Sequence, residues 1–184
     1  TSLYEPQQLY YNLMGEKILT DKNVKSAYYM AKYKKSCDSP AWDGMTRTIL
    51  IDGMEQEHAL ALIRYHILHG PSGCVKRFDI PKSNGKTRPI SIYPLLDRVA
   101  QWCIMEPLRK ACGPLLSPIN HAFLKGKSCK TAFDAFPPAG EAGYVICGDI
   151  HSFFDSVSHS LVRACLWSAG IRDSQLLHTI NVTL

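Results

Sequence analysis

The stretch "CVKRFDIPKSNGKTRPISIYPLLDRVAQWCIMEPL" occupies residues 74–108 and carries most of the information about the fold. Two β-rich runs flank Asn84-Gly85, a dipeptide whose tolerance of positive φ makes it the strongest short signal for a tight hairpin. Between Lys76 and Arg88 the same runs hold five cations, so the hairpin is basic. Behind it, "LLDRVAQWCIMEPL" (95–108) places apolar residues at 95, 96, 99, 103 and 104. That spacing predicts a buried helix ending at Pro107, because proline lacks the N–H that a helix interior needs.

Basic character spreads outward from the hairpin. Residues 76–130 hold eleven basic side chains against three acidic ones, whereas residues 1–75 are balanced at eight each and residues 131–184 hold two against five. The net charge of +5 therefore hides a segment of +8, which includes Lys76, Arg77, Lys82, Lys86, Arg88, Lys125, Lys127 and Lys130. Such a segment suits a phosphate-rich partner, since neutralising phosphates releases condensed counterions; a solvated basic face is the bland alternative.

With 184 residues and 46% hydrophobic composition, the chain can bury a core as one domain or two small lobes. The apolar runs are too short to span a bilayer, and "TSLYEPQQLYYN" lacks the basic-then-apolar order of a signal peptide, so the sequence reads as cytoplasmic with no membrane partner. Seven cysteines without a CxxC pair, several of them in apolar patterns, point to reduced, buried thiols rather than a disulfide frame or zinc site. His58, His66 and His69 share one helical segment but form no convincing metal cage and read as surface residues. Residues 20–35 and 54–70 have the caps and periodicity of helices; "SCDSPAWDGMT" (36–46) reads as a loop in which Trp42 packs or stacks on something. "GKSCKTAFDAF" (126–136) suggests a short helix, and "SHSLVRACLWSAG" (158–170) another that opens with Ser158 as N-cap.

A second informative stretch is "GYVICGDIHSFFDSVSHSLV" (143–162). Its apolar run 144–149 reads as a strand with Asp149 at the carboxyl end, followed by a tight segment and a helix. Strand ends of this kind are favoured ligand sites, where a carboxylate can hold Mg²⁺ beside phosphate-binding amides. Simple capping of the turn by Asp149 and Asp155 is the structural alternative.

The order of motifs decides between these readings. "SPAWDGMT", "IPKSNGKTRPI", "DRVAQ", "AFLKGKS" and "DIHSFFDSVSH" follow one another over residues 36–165, and this order resembles the N-terminal half of a bacterial reverse transcriptase of the group II intron type. In "NHAFLKGKS", where intron enzymes have an aromatic-Gly-Phe-Arg sequence, and in "QW" after "DRVA", the chain is also similar to diversity-generating or phage-borne relatives. The resemblance implies an α+β, right-hand polymerase fold, of which only the fingers and the first part of the palm are present. Residues 1–140 would form an N-terminal extension and fingers, and residues 141–184 the start of the palm.

Carried onto this sequence, the resemblance makes Asp149 the first catalytic aspartate and the Ile150 main-chain carbonyl a further metal ligand, for two Mg²⁺ ions in the complete enzyme. Lys82 and Arg88 match the fingers cations that close over an incoming deoxynucleotide triphosphate, and Lys86 is either a nucleic-acid contact or a solvated tip. Lys125, Lys127 and Lys130 are expected to face nucleic acid. Phe154 matches the aromatic floor that excludes a 2′-hydroxyl, while Phe153 is expected to pack in the core. Arg98 is either a packed ion pair with its surroundings or a template contact, with packing favoured. The implied partners are an RNA template, a DNA or RNA primer and intron or element RNA.

The sequence contains no Asp-Asp dipeptide, the second metal-binding motif of this family. It therefore reads as a fragment of an RNA-directed DNA polymerase, inactive by itself, that also lacks the thumb and maturase regions which a parent of this type can carry. The alternative is a non-catalytic RNA-binding or scaffolding domain descended from such an enzyme. A downstream Tyr/Phe-Ala-Asp-Asp in the parent protein would separate the two.

Overall fold

A computed structural model describes residues 8–70, 74–81, 83, 85–137, 144–151 and 153–183, with the side chains of Phe154 and Asp155 outside that set. Its architecture is mixed helix and strand. The centre is a packed trio of helices: α1 (Asp21–Tyr33), α2 (Gln56–His69) and α3 (Leu95–Cys112).

Local sequence explains why these helices begin where they do. Thr20 caps α1 by accepting the Asn23 N–H, and the helix buries Val24, Ala27, Tyr28 and Ala31, a stripe at helical spacing. α2 buries Ala59, Leu60, Ile63 and Ile67 and stops at Gly70, whose φ of 88° is a conformation that glycine adopts without strain. α3 buries Leu95, Val99, Cys103 and Ile104 against both. Each fully buried aliphatic side chain of this kind contributes about 1.5–3 kcal/mol.

α3 does not end at Pro107 as its sequence suggests; it continues to Cys112. Pro107 cannot donate to the carbonyl four residues back, that of Cys103. Asn23 of α1 takes over, its side-chain amide donating to the Cys103 carbonyl at 2.8 Å and to the Ile18 carbonyl at the same distance. A helix that has lost one internal bond is thus repaired from its neighbour.

The C-terminal part returns to this centre. A short α6 (His159–Ser168) leads through Gly170 to Ile171, which forms a parallel bridge with Tyr10, and then to α7 (Ser174–Thr183), which packs on α2. Asp173 is buried at the junction: its carboxylate accepts the Met14 N–H at 2.7 Å and the Leu176 N–H at 3.0 Å. Gln175 and Thr179 add bonds to the Leu68 and Ile67 carbonyls. Between α3 and α6 lie α4 (Cys129–Asp134), opened by a Ser128/Thr131 capping box, and the single turn α5 (Phe153–Ser156).

The expected hairpin is present: β1 (Lys76–Pro81) pairs antiparallel with β2 (Thr87–Ile92), in a register that sets Lys76 opposite Ile92 and Ile80 opposite Arg88. The strand expected at 144–149 is not formed. Residues 144–150 belong to no helix or ladder, and Tyr144 and Ile146 are both 95% exposed. A strand exists only by pairing, and no described segment offers this one an edge. Phe153 is 48% exposed, so its expected burial is also corrected. Among the described residues, no helix is long and apolar enough to cross a membrane.

Candidate nucleotide and nucleic-acid site

The hairpin stands away from the core. From Lys76 to Pro89 its described residues are exposed, and burial begins only at Ile90, where β2 approaches α3. Lys86 and Arg88 are exposed near the turn, and Gly85 there has φ 77°. Lys82 lies outside the described residues. An exposed arginine on a strand can present its planar fork to two oxygens of one phosphate, which a lysine cannot do.

A second group of cations sits on the segment entering α4. Lys125 and Gly126 form a turn in which Gly126 has φ 78° and the Lys127 N–H donates to the Leu124 carbonyl. His121 fastens this segment to α4 through the Thr131 hydroxyl at 2.9 Å. Lys125, Lys127 and Lys130 are all exposed, but Lys130 is paired with Asp134 at 2.9 Å on the same helix face. Lys125 and Lys127 have no ion pair among the described residues.

Asp149 and Ile150 are exposed on the segment just before α5. The side chains of Phe154, expected as the floor under the sugar, and Asp155, expected as a cap, fall outside the described residues. A carboxylate and a main-chain carbonyl are hard oxygen donors of the type Mg²⁺ takes. They are an incomplete set: among the described residues no cluster of three or more His, Cys, Asp or Glu could hold a metal. No described hydrogen bond or ion pair joins Asp149 to either group of cations.

The sequence did not disclose how the "DR" of "DRVAQ" is used. Asp97 is 1% exposed and is met by the His66 ring of α2, so His66 is an interior partner rather than a surface histidine. Arg98 donates to the Ser36 carbonyl at 2.9 Å and the Ser39 carbonyl at 3.3 Å, so its described contacts are with main-chain carbonyls of the 36–46 loop. Trp42 of the same 36–46 loop donates its indole N–H to the Cys74 carbonyl at 3.0 Å. The thiols divide: Cys37 and Cys103 are buried and Cys112 half-buried, whereas Cys74, Cys129, Cys147 and Cys165 are exposed, contrary to the general burial expected.

The family described as Reverse transcriptase (RNA-dependent DNA polymerase) matches residues 80–182, from β1 through Asp149 to α7. The chain belongs to the reverse transcriptase family. Among curated relatives, Protein YkfC of Escherichia coli K12 is 34% identical over 140 residues, covering 70% of this chain and 35% of that protein. The group II intron-encoded protein LtrA of Lactococcus lactis subsp. cremoris is 31% identical over 87 residues, covering 46% of this chain and 14% of LtrA. An uncharacterized 91 kDa protein in the cob intron of Schizosaccharomyces pombe is 31% identical over 110 residues, covering 59% and 14%. This reverse transcriptase chain thus spans about a third of YkfC and a seventh of the two intron proteins, and the intron names agree with the group II type of the motif order.

Proposed function

We propose that the chain is the fingers (within residues 1–140) and the first part of the palm (141–184) of an RNA-directed DNA polymerase, with the right-hand architecture of that class. One observation carries the reading: the family match begins in the exposed cationic hairpin and runs without a break through Asp149. In the complete enzyme Arg88 forks the triphosphate of an incoming deoxynucleotide, Lys82 adds a mobile point charge, and Phe154 excludes a 2′-hydroxyl. Lys86, Lys125, Lys127 and Lys130 hold the RNA template and its DNA or RNA primer, and the RNA of the parent element is a further partner. The Asp149 carboxylate and the Ile150 carbonyl would hold Mg²⁺, whose charge supports attack by the primer 3′-hydroxyl and departure of pyrophosphate.

A palm with one metal-binding motif cannot hold both ions, and the sequence has no Asp-Asp dipeptide. The 184-residue chain should therefore extend no primer on an RNA template, even with Mg²⁺ and all four deoxynucleotides. Extension that Asp149→Asn abolishes would refute the assignment of this chain as an inactive part.

A further inference from the structure

The hairpin makes its phosphate contacts near a free end, so their positions depend on how its two roots are held. The β2 root runs directly through Tyr93-Pro94 into the first turn of α3, where Leu95 is fully buried. The β1 root is reached from α2 through residues 70–75, of which 71–73 lie outside the described residues, and Trp42 of the 36–46 loop hydrogen-bonds that root through the Cys74 carbonyl.

Trp42 is itself held in place. Its loop is anchored by Arg98, which bridges the Ser36 and Ser39 carbonyls, and by Arg47, whose Nε pairs with Asp38 at 2.8 Å while its fork reaches the Lys32 carbonyl at 3.1 Å. Cys37 and Ala41 of the loop are buried. Arg98 belongs to the same first turn of α3 that receives β2. Both roots of the hairpin are thus referred to one turn of one helix, β2 through the chain and β1 through Arg98, the loop and Trp42.

We infer that Trp42 and Arg98 are positioning residues for the hairpin cations, a role that rests on the polymerase reading of those cations but not on any contact of Trp42 with substrate. Six strand residues place the turn about 17 Å beyond the root, so a 10° swing about the β2 root alone displaces the tip by roughly 3 Å. That is as large as a hydrogen bond and enough to disengage a phosphate. The half-exposed Trp42 indole contributes little to the core, 56% of its surface being solvent-facing. Its N–H bond sets hairpin direction rather than global stability.

The test uses the 184-residue chain with Trp42→Phe, which keeps a ring and removes the donor. Amide hydrogen exchange in peptides covering residues 74–92 should quicken roughly two- to tenfold, the worth of one hydrogen bond, while α1–α3 and the melting temperature stay unchanged. Affinity for a labelled single-stranded RNA should fall in this variant, and fall less when the same change is made in a Lys86→Ala/Arg88→Ala background, since only Lys76, Arg77 and Lys82 are then left to position. Unchanged hairpin exchange in Trp42→Phe would overturn the tie and leave the polymerase reading standing. An equal loss of RNA affinity in both backgrounds would overturn the positioning role, because Trp42 would then act on RNA directly. If Lys86→Ala/Arg88→Ala alone leaves RNA affinity intact, the assignment of Lys86 to RNA fails, and the exchange data still decide the tie.

Discussion

The lysines before and within α4 give a prediction whose size follows from the structure. If this surface faces RNA, each phosphate it neutralises should contribute about 0.7 to the slope of log affinity against log salt for a single strand. Three lysines would contribute about 2.1. Lys130 is already paired with Asp134, however, so reversing it to Glu removes less than reversing Lys125 or Lys127. The expected flattening for Lys125→Glu with Lys127→Glu is about 1.4, and adding Lys130→Glu should bring only a small further change. Between 50 and 200 mM salt, a slope difference of 1.4 is about a sevenfold difference in how far affinity drops. Fluorescence anisotropy with a labelled RNA, titrated at four or five salt concentrations, measures it directly. A slope that ignores the double reversal would return the segment to a plain solvated face, and an effect of Lys130→Glu equal to that of Lys125→Glu would show that its ion pair does not compete with phosphate.

Other expectations concern sugar choice, stability and thiol chemistry. In the full-length polymerase, Phe154→Ala or Phe154→Val should admit ribonucleotides while keeping deoxynucleotide incorporation, a change of a few kcal/mol in discrimination; steady-state kinetics with paired ribo- and deoxynucleotides test it, and an unchanged preference in a folded enzyme would refute it. Asp173→Ala removes a helix cap and orphans the buried Met14 N–H, so it should cost roughly 2–4 kcal/mol and lower the melting temperature by about 5–15 °C; a shift under 2 °C by calorimetry would contradict the bonding described. Cys74, Cys129, Cys147 and Cys165 should alkylate in the native chain, and Cys37 and Cys103 only after unfolding, as peptide mass mapping would show. Burial pushes the Cys103 thiol up from 9.0 to about 12, against a smaller lowering by Arg64. Its folded value lies above its unfolded one, so the stability it contributes is complete below about pH 9 and is lost as pH rises towards 12; the urea midpoint should fall across that interval and not below it.

What could be read from the sequence was what neighbours in the chain determine. Asn84-Gly85 between β-rich runs specified the hairpin because a turn is a property of adjacent residues, and Thr20 and Gly70 marked helix ends for the same reason. The end of α3 was misread because its rescue comes from Asn23, 80 residues away from Cys103. Alternation in "YVICGD" described which way side chains would point but could not supply a second strand. In the candidate site, exposure of Lys86, Arg88, Lys125 and Lys127 was legible from charge. The use of Arg98 and Trp42 was not, since both bind main-chain carbonyls, which carry no sequence signature.

The bond between Asp173 and Met14 joins residues 159 positions apart, and the Tyr10–Ile171 bridge spans nearly the same interval. On a ribosome moving at about 5–20 residues per second, roughly 8–30 s separate the emergence of the two partners. Through that interval the segment that carries the apolar residues Leu13, Met14 and Ile18 waits without its C-terminal partners. The segment around residues 13–18 is therefore a place where a holding chaperone would bind during synthesis, and synonymous changes that slow translation between the hairpin and α7 would lengthen its exposure without altering the native molecule.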